Sequence, residues 1–261
     1  GVARVAHETV PDLPLHASTQ MSVSSLEGVR ALAELGFTRG VLARELSLKE
    51  IRHICAHAPI EIETFMHGAL CVCYSGQCLM SSMIGGRSGN RGRCAQPCRL
   101  PYTLVDEKGQ DVLGDKAGSY LLSPRDLSTI DVIPDLIEAG VSSLKIEGRM
   151  KRPEYVATVV RTYREAIDTY YAGKGYAVTQ EERDDLAQIF NRDFTTAYLE
   201  GRPGKAMMSD SRPNNRGLLI GRVTAYDWDA RIGIVKLSGR LGLGDQVDFW
   251  VKVGGRVSAT I

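Results

Sequence analysis

The sequence predicts an α/β fold: the C-terminal part of a (β/α)8 TIM-type barrel, with the truncated start of a small β-barrel domain after it. Three observations predict this. Short apolar runs alternate with amphipathic helices in units of roughly 20 to 30 residues, the rhythm of a parallel sheet wrapped by helices. Polar or charged residues stand where each run ends. From Leu218 the helical period gives way to apolar and polar alternation between Gly and Asp turns. Four strands are recognisable up to Ile146, and a closed barrel needs eight, so the other four are expected before Gly1.

Val2, Val5, Ala6 and Thr9 sit at helical spacing ahead of Pro11, as in the tail of a helix. Leu13 to Ala17 is a short strand. Ser24 to Leu35 is a helix, with Leu26, Val29, Leu32 and Leu35 on one face, Ser24 or Ser25 as N-cap and Gly36 as its stop. Gly40 to Ala43 is the second strand and runs into Arg44 and Glu45. Ser47 to His57 is helical, and Ile60 to Phe65 is the third strand. Tyr102 to Val112, with the turn Asp106-Glu107-Lys108-Gly109, reads as an inserted hairpin. Ser128 to Ala139 is helical despite Pro134, Ser143 to Ile146 is the fourth strand, and Pro153 opens the longest helix, to about Tyr171. The expected organisation is a partial barrel over 1–172 with a cysteine-rich loop at 66–99, a connector over 173–215, and the start of a small β domain over 216–261.

Composition narrows the function classes. A chain of 261 residues, 43% hydrophobic and 24% charged, buries one large core or two modest ones. A net charge of +1 argues against a general polyanion binder and leaves room for a local basic patch. No run of about 18 apolar residues is present, so no membrane span is expected. The opening GVARVAHE lacks the features of a signal peptide and reads as a cut inside a longer cytoplasmic protein. Six cysteines are too few for a disulfide scaffold, and their clustering suits metal ligation in a reducing compartment.

Five of the six cysteines lie in the loop after the third strand. Cys71, Cys78, Cys94 and Cys98 follow the spacing C-x6-C-x15-C-x3-C, which is compatible with two disulfides, a structural zinc or an iron-sulfur cluster; metal is favoured, and within metal, iron-sulfur. Cys73 is left as a spare thiol and Cys55 as a core residue. Glu63 and His67 flank one strand end and are candidates for acid and base, or for a structural hydrogen bond. Lys145, Glu147 and Arg149, with Arg44 and Glu45, would face the same barrel mouth and suit a polar or anionic substrate. Arg87, Arg91, Arg93 and Arg99 either contact phosphate or solvate the loop.

The stretches ETFMHGALCVCYSGQCLMS (Glu63 to Ser81), NRGRCAQPCR (Asn90 to Arg99) and SLKIEGRMK (Ser143 to Lys151) closely resemble the peptidase U32 family, in the same order. The resemblance implies a (β/α) barrel followed by a small β domain. It also implies one of two activities, since the family name covers proteases and proteins that hydroxylate tRNA, rRNA or a quinone precursor without oxygen. The hydroxylating branch carries a [4Fe-4S] cluster, and Cys71, Cys78 and Cys94 match three of its ligands. A fourth would be Cys98; the alternative position in the family, a D-L-C segment, is here Asp126-Leu127-Ser128. The expectation is therefore an iron-sulfur enzyme that hydroxylates RNA or a small aromatic precursor. The alternatives are a U32 peptidase and a binding module with a structural metal such as zinc. An open half-barrel would further require an oligomer, a partner subunit or a retained N-terminal fragment to cover its edges.

Overall fold

The chain opens with α1 (Val2–Thr9) and β1 (Leu15–Ala17), and the Ser25 hydroxyl, accepting from the Gly28 amide, caps α2 (Leu26–Glu34). Gly36, at φ 83°, turns the chain from that helix straight into β2 (Phe37–Val41), a conformation glycine adopts without strain. A reciprocal capping box between Ser47 and Glu50 starts α3 (Leu48–His57), which buries Ile51 and Ile54. It leads into β3 (Glu61–Ala69), buried without a break from Ile62 to Gly68.

A short helix, α4 (Met80–Gly85), lies within the cysteine loop, and β4 (Asp126–Ser128) follows the insertion. That insertion holds a single antiparallel bridge, Val105 to Asp111, around the expected turn. Pro134 falls in the first turn of α5 (Ile133–Glu138), where its missing N–H is harmless, so it begins this helix rather than interrupting it. Then come β5 (Ser143–Glu147), α6 (Pro153–Tyr171), α7 (Gln180–Ile189) and β6 (Phe194–Thr195).

β1, β2, β3 and β5 are parallel neighbours in that order, each joined to the next through a helix, as the sequence predicts. β4 runs antiparallel to β3 at His67, Gly68 and Ala69, and β6 pairs with β4. The expected barrel is not closed. Four parallel strands span too little of a barrel's circumference for β1 and β5 to meet, and the result is an open mixed sheet of six strands.

Ile62 packs with α2 and α3 residues in one core cluster, and Met66 with Ile133, Leu136, Val159 and Tyr163 in a second. Phe65, on the opposite face, joins Val41, Leu70, Leu127, Ala197 and Met207 in a third. Residues 173–215, read from sequence as a connector, contribute α7, β6 and the buried Leu186 and Arg192.

The structure describes residues 1–173, 175–251 and 255–261, in two units, Gly1–Arg216 and Gly217–Ile261. The second unit holds the antiparallel pairs β7 (Gly221–Asp227) with β8 (Ile232–Leu237) and β9 (Gln246–Val251) with β10 (Gly255–Thr260). They form two separate hairpins and no barrel among the described residues. No helix among the described residues is long and apolar enough to cross a membrane.

At Gly68, β3 lies close against β5. At φ 107°, a Cβ there would lie 2.3 Å from the Glu147 carbonyl oxygen. Gly68→Ala is expected to cost about 2–4 kcal/mol, through the strained backbone and the parting of the two strands. A fall in the urea midpoint with an unchanged slope would register this loss.

Candidate functional site

The parallel strands deliver Arg44 and Glu45, the cysteine loop, and Glu147 with Arg149 to one edge of the sheet. Arg44 lies over the Phe65 ring, its guanidinium carbon 3.7 Å from the centroid, and reaches Glu147 at 3.3 Å. Burial pulls the Arg44 pKa down, against the opposing pull of Glu147, Cys71 and Glu45. Glu45 accepts from the Ser75 amide at 3.0 Å and from its hydroxyl at 3.2 Å, and the Ser75 hydroxyl oxygen accepts from the Arg44 amide. This knot pins the start of the cysteine loop to the end of β2. Arg44 Nε and Thr64 Oγ1 are buried without a partner, and both residues line one small cavity with Phe65 and Leu70.

Glu63 and Lys145 meet at 3.1 Å. Glu63 also accepts from Ser143 at 2.8 Å and lies 3.5 Å from Arg39. Burial alone would raise its pKa, but Ser143, Lys145 and Arg39 together hold the carboxyl below its usual range. It is a held carboxylate rather than a proton donor near neutral pH.

His67 takes no part in that cluster. The pairing of β3 with β5 skips a residue between Phe65 and His67, a bulge, and beyond it His67 turns into a cage of Tyr155, Tyr163 and Phe194. Its Nδ1 is 3.2 Å from the Tyr163 hydroxyl, and Nε2 is buried without a partner. The same hydroxyl accepts from the Thr129 amide at 3.0 Å, donates to the Met66 carbonyl at 3.1 Å and approaches Ser128 at 3.3 Å. Burial lowers the His67 pKa to about 4. The expected acid and base pair of Glu63 and His67 is therefore not assembled: the two share no partner, and the imidazole stays neutral at physiological pH.

All six cysteines are free. Burial raises the Cys71 thiol to about 11, with Cys78, Cys98 and Cys73 adding to the effect, and Cys98 in turn feels Cys94 and Cys78. The four thiols of the expected ligand set, with Cys73, thus occupy one electrostatic neighbourhood. Among the described residues, however, no three His, Cys, Asp or Glu side chains are arranged to hold a metal ion. Thiols are donors of the kind that suits a soft metal centre.

Arg99 closes the loop at its base. It donates to the carbonyl of Leu70, beside Cys71, at 3.1 Å, to Ser123 Oγ at 2.7 Å, and to the Pro124 carbonyl. Below it, Asp126 and Arg192 form a buried forked ion pair at 2.6 and 3.0 Å. Lys151 lies over the Tyr155 and Phe190 rings. Burial lowers its pKa to about 8, with Arg192 and Arg99 adding to the fall and Asp126 opposing it.

The family model for peptidase family U32 matches residues 1–209. The chain belongs to this family. Among U32 relatives and their neighbours in sequence, it is 38% identical to a tRNA hydroxylation protein P1 of Bacillus subtilis over 95% of this chain and 60% of that protein. It is 41% identical to a 23S rRNA 5-hydroxycytidine C2501 synthase of Escherichia coli, over 82% of this chain and 33% of that protein. It is 36% identical to a collagenase of Porphyromonas gingivalis, over 94% of this chain and 63% of that protein. The chain therefore spans less than two thirds of each of these relatives. No solved structure matches it.

In this U32 chain the structure joins the expected residues into two ion pairs, Lys145 with Glu63 and Arg44 with Glu147, and sends Arg149 to the Gly92 carbonyl in the loop. Sequence reading had Arg99 only as a charge on the loop, and it passed over the Tyr163 hydroxyl, Lys151 and the Asp126 to Arg192 pair. The one available signal was Tyr163 on the inner face of α6, beside Val159 and Ala166, since a buried hydroxyl needs a partner.

His67 also sets a pH dependence. Between pH 7 and pH 5 the unfolded chain takes up a proton at this residue and the folded chain does not, so stability falls on acidification, by about 2 kcal/mol. Urea midpoints across that window should drop in the parent and be flatter in His67→Met, whatever the variant's absolute stability.

Proposed function

We propose that this U32 chain is the cluster-bearing part of an enzyme that hydroxylates RNA, tRNA or rRNA, without oxygen. The observation that carries the reading is the meeting of free thiols with Arg44, Glu45 and Glu147 at one edge of a parallel sheet, where α/β enzymes hold their substrates. Support comes from the relatives named as tRNA and rRNA hydroxylation proteins. A [4Fe-4S] cluster would be held by Cys71, Cys78, Cys94 and Cys98, and when bound it would supply one-electron transfer.

The chain's own residues then position and select. Ser75 and Glu45 hold the loop against β2, and Arg99 clamps its two ends. The unpaired Arg44 Nε and Thr64 Oγ1 would receive an oxygen of a polar substrate, with Phe65 as the apolar wall. Arg44, already paired with Glu147, would keep an anionic group in register without leaving a buried charge alone. The open sheet is read as part of a (β/α) barrel completed by further polypeptide or a partner subunit, because β1 and β5 are each paired on one side only.

The peptidase reading draws on the relatives named collagenase. It would put Glu63 to work as a base, yet Lys145, Ser143 and Arg39 already occupy that carboxylate.

Purification without air should give brown protein with about four iron atoms and matching acid-labile sulfide per chain. Serine at Cys71, Cys78, Cys94 or Cys98 should abolish the colour, while Cys55→Ser should keep it. Colourless protein with zinc, or peptide cleavage lost in Glu63→Gln, would overturn the reading.

A further inference from the structure

Between Glu63 and Asp106 the sequence has no acidic residue and four arginines, in a chain whose net charge is only +1. A second basic run, Arg149-Met150-Lys151-Arg152, follows β5. The fold brings the two together: Arg149 donates to the carbonyl of Gly92, in the middle of the first run. Arg87, Arg91, Arg93, Arg149 and Arg152 are all exposed. None of the five forms an ion pair with a described carboxylate, although eleven such pairs occur among the described residues. Arg87 donates to the backbone carbonyl of Arg93, which holds the first run in a tight turn.

Beneath this surface a second layer adds to the same field. Arg99, Lys151 and Arg192 surround one carboxylate, Asp126, whose oxygens are already taken by Arg192. The cations around Asp126 add to the exposed ones in one positive potential; the first run has no acid of its own, and Glu147 and Glu154, which flank the second, form no ion pair with Arg149 or Arg152 among the described residues. The exposed Cys94 lies within the first run, so the basic surface borders the cysteine site.

We infer that Arg87, Arg91, Arg93, Arg149 and Arg152 form one phosphate-binding surface, built from two distant segments, that holds the RNA backbone beside the cysteine loop. The inference rests on the RNA reading above and assigns it a contact face. Phosphates are the partner that the surface fits, since forked guanidinium groups without protein acids match phosphodiester oxygens, and such contacts position a nucleic acid without reading its sequence. Arg149 also fastens the two segments and Arg87 holds the first in its turn, whereas Arg91 and Arg152 form no side-chain hydrogen bond or ion pair among the described residues and can face the ligand.

The test is binding of fluorescein-labelled unfractionated bacterial tRNA, and of an rRNA transcript, to the whole chain across a salt series. Arg91→Gln combined with Arg152→Gln should weaken binding roughly 10-fold at moderate salt and flatten the slope of log K against log salt by about 1.5. Arg161→Gln combined with Arg164→Gln, which removes an equal charge from ion-paired exposed sites, should change affinity less than about twofold. Iron content measured on the same samples separates the outcomes: binding lost with iron retained supports the surface, and a failed cluster assay bears on the proposed function alone. Unchanged affinity and slope in the double variant, no binding of either RNA by the parent, or a loss confined to anionic lipid vesicles would overturn the inference.

Discussion

The end of β3 is the constraint on which the rest of the first unit depends. At His67 and Gly68 this strand is paired on both edges, with β4 on one side and β5 on the other, and the backbones approach so closely at Gly68 that no side chain fits. The bulge just before it turns His67 from the Glu63 face into the aromatic cage under α6. The Tyr163 hydroxyl then gathers Met66, His67 and Thr129 into one buried junction. The cysteine loop leaves from a strand end that is locked on every side, which fixes where Cys71 stands even though the loop beyond it is irregular.

Electrostatics divides this region into two zones. On the Glu63 side, charges are matched: Glu63 with Lys145 and Arg39, Arg44 with Glu147. Around Asp126 and the cysteine loop, cations outnumber carboxylates, and the depressed pKa values of Arg99 and Lys151 follow from burial together with that crowding. A matched zone beside an unmatched one gives the site a direction: positive potential lies on the loop side, and a neutralised, partly apolar wall on the other.

The parallel core was legible because its signals are local. Ser25, Ser47 with Glu50, Gly36 and the spacing of Leu26, Val29 and Leu32 each state a helix start, stop or face within a few residues. Pro134 misled only in part, since a proline inside an apolar run looks the same whether it starts a helix or breaks one. The antiparallel β4, only Asp126 to Ser128, is too short to carry a period, and the bulge at Met66 leaves no mark in composition, so the separation of His67 from Glu63 could not be read. Among the candidate site residues, Lys145 and Glu147 were named because they stand where the fourth strand runs out. Arg99 was found as a charge but not as a clamp, because its partners are backbone carbonyls, which every residue possesses.

The contacts that hold β3 in place come from far along the chain. Arg44 and Glu147 are 103 positions apart, and the Tyr163 hydroxyl reaches back 97 positions to Met66. Parallel strands with such long intervals between partners gain their stabilising contacts only after large loops have closed, which slows folding. During synthesis, β3 emerges from the ribosome long before its outer neighbour and the tyrosine that seals it. For that interval Ile62, Phe65 and Met66 and the thiols behind them stay uncovered, the transient exposure that makes a nascent chain prone to aggregate.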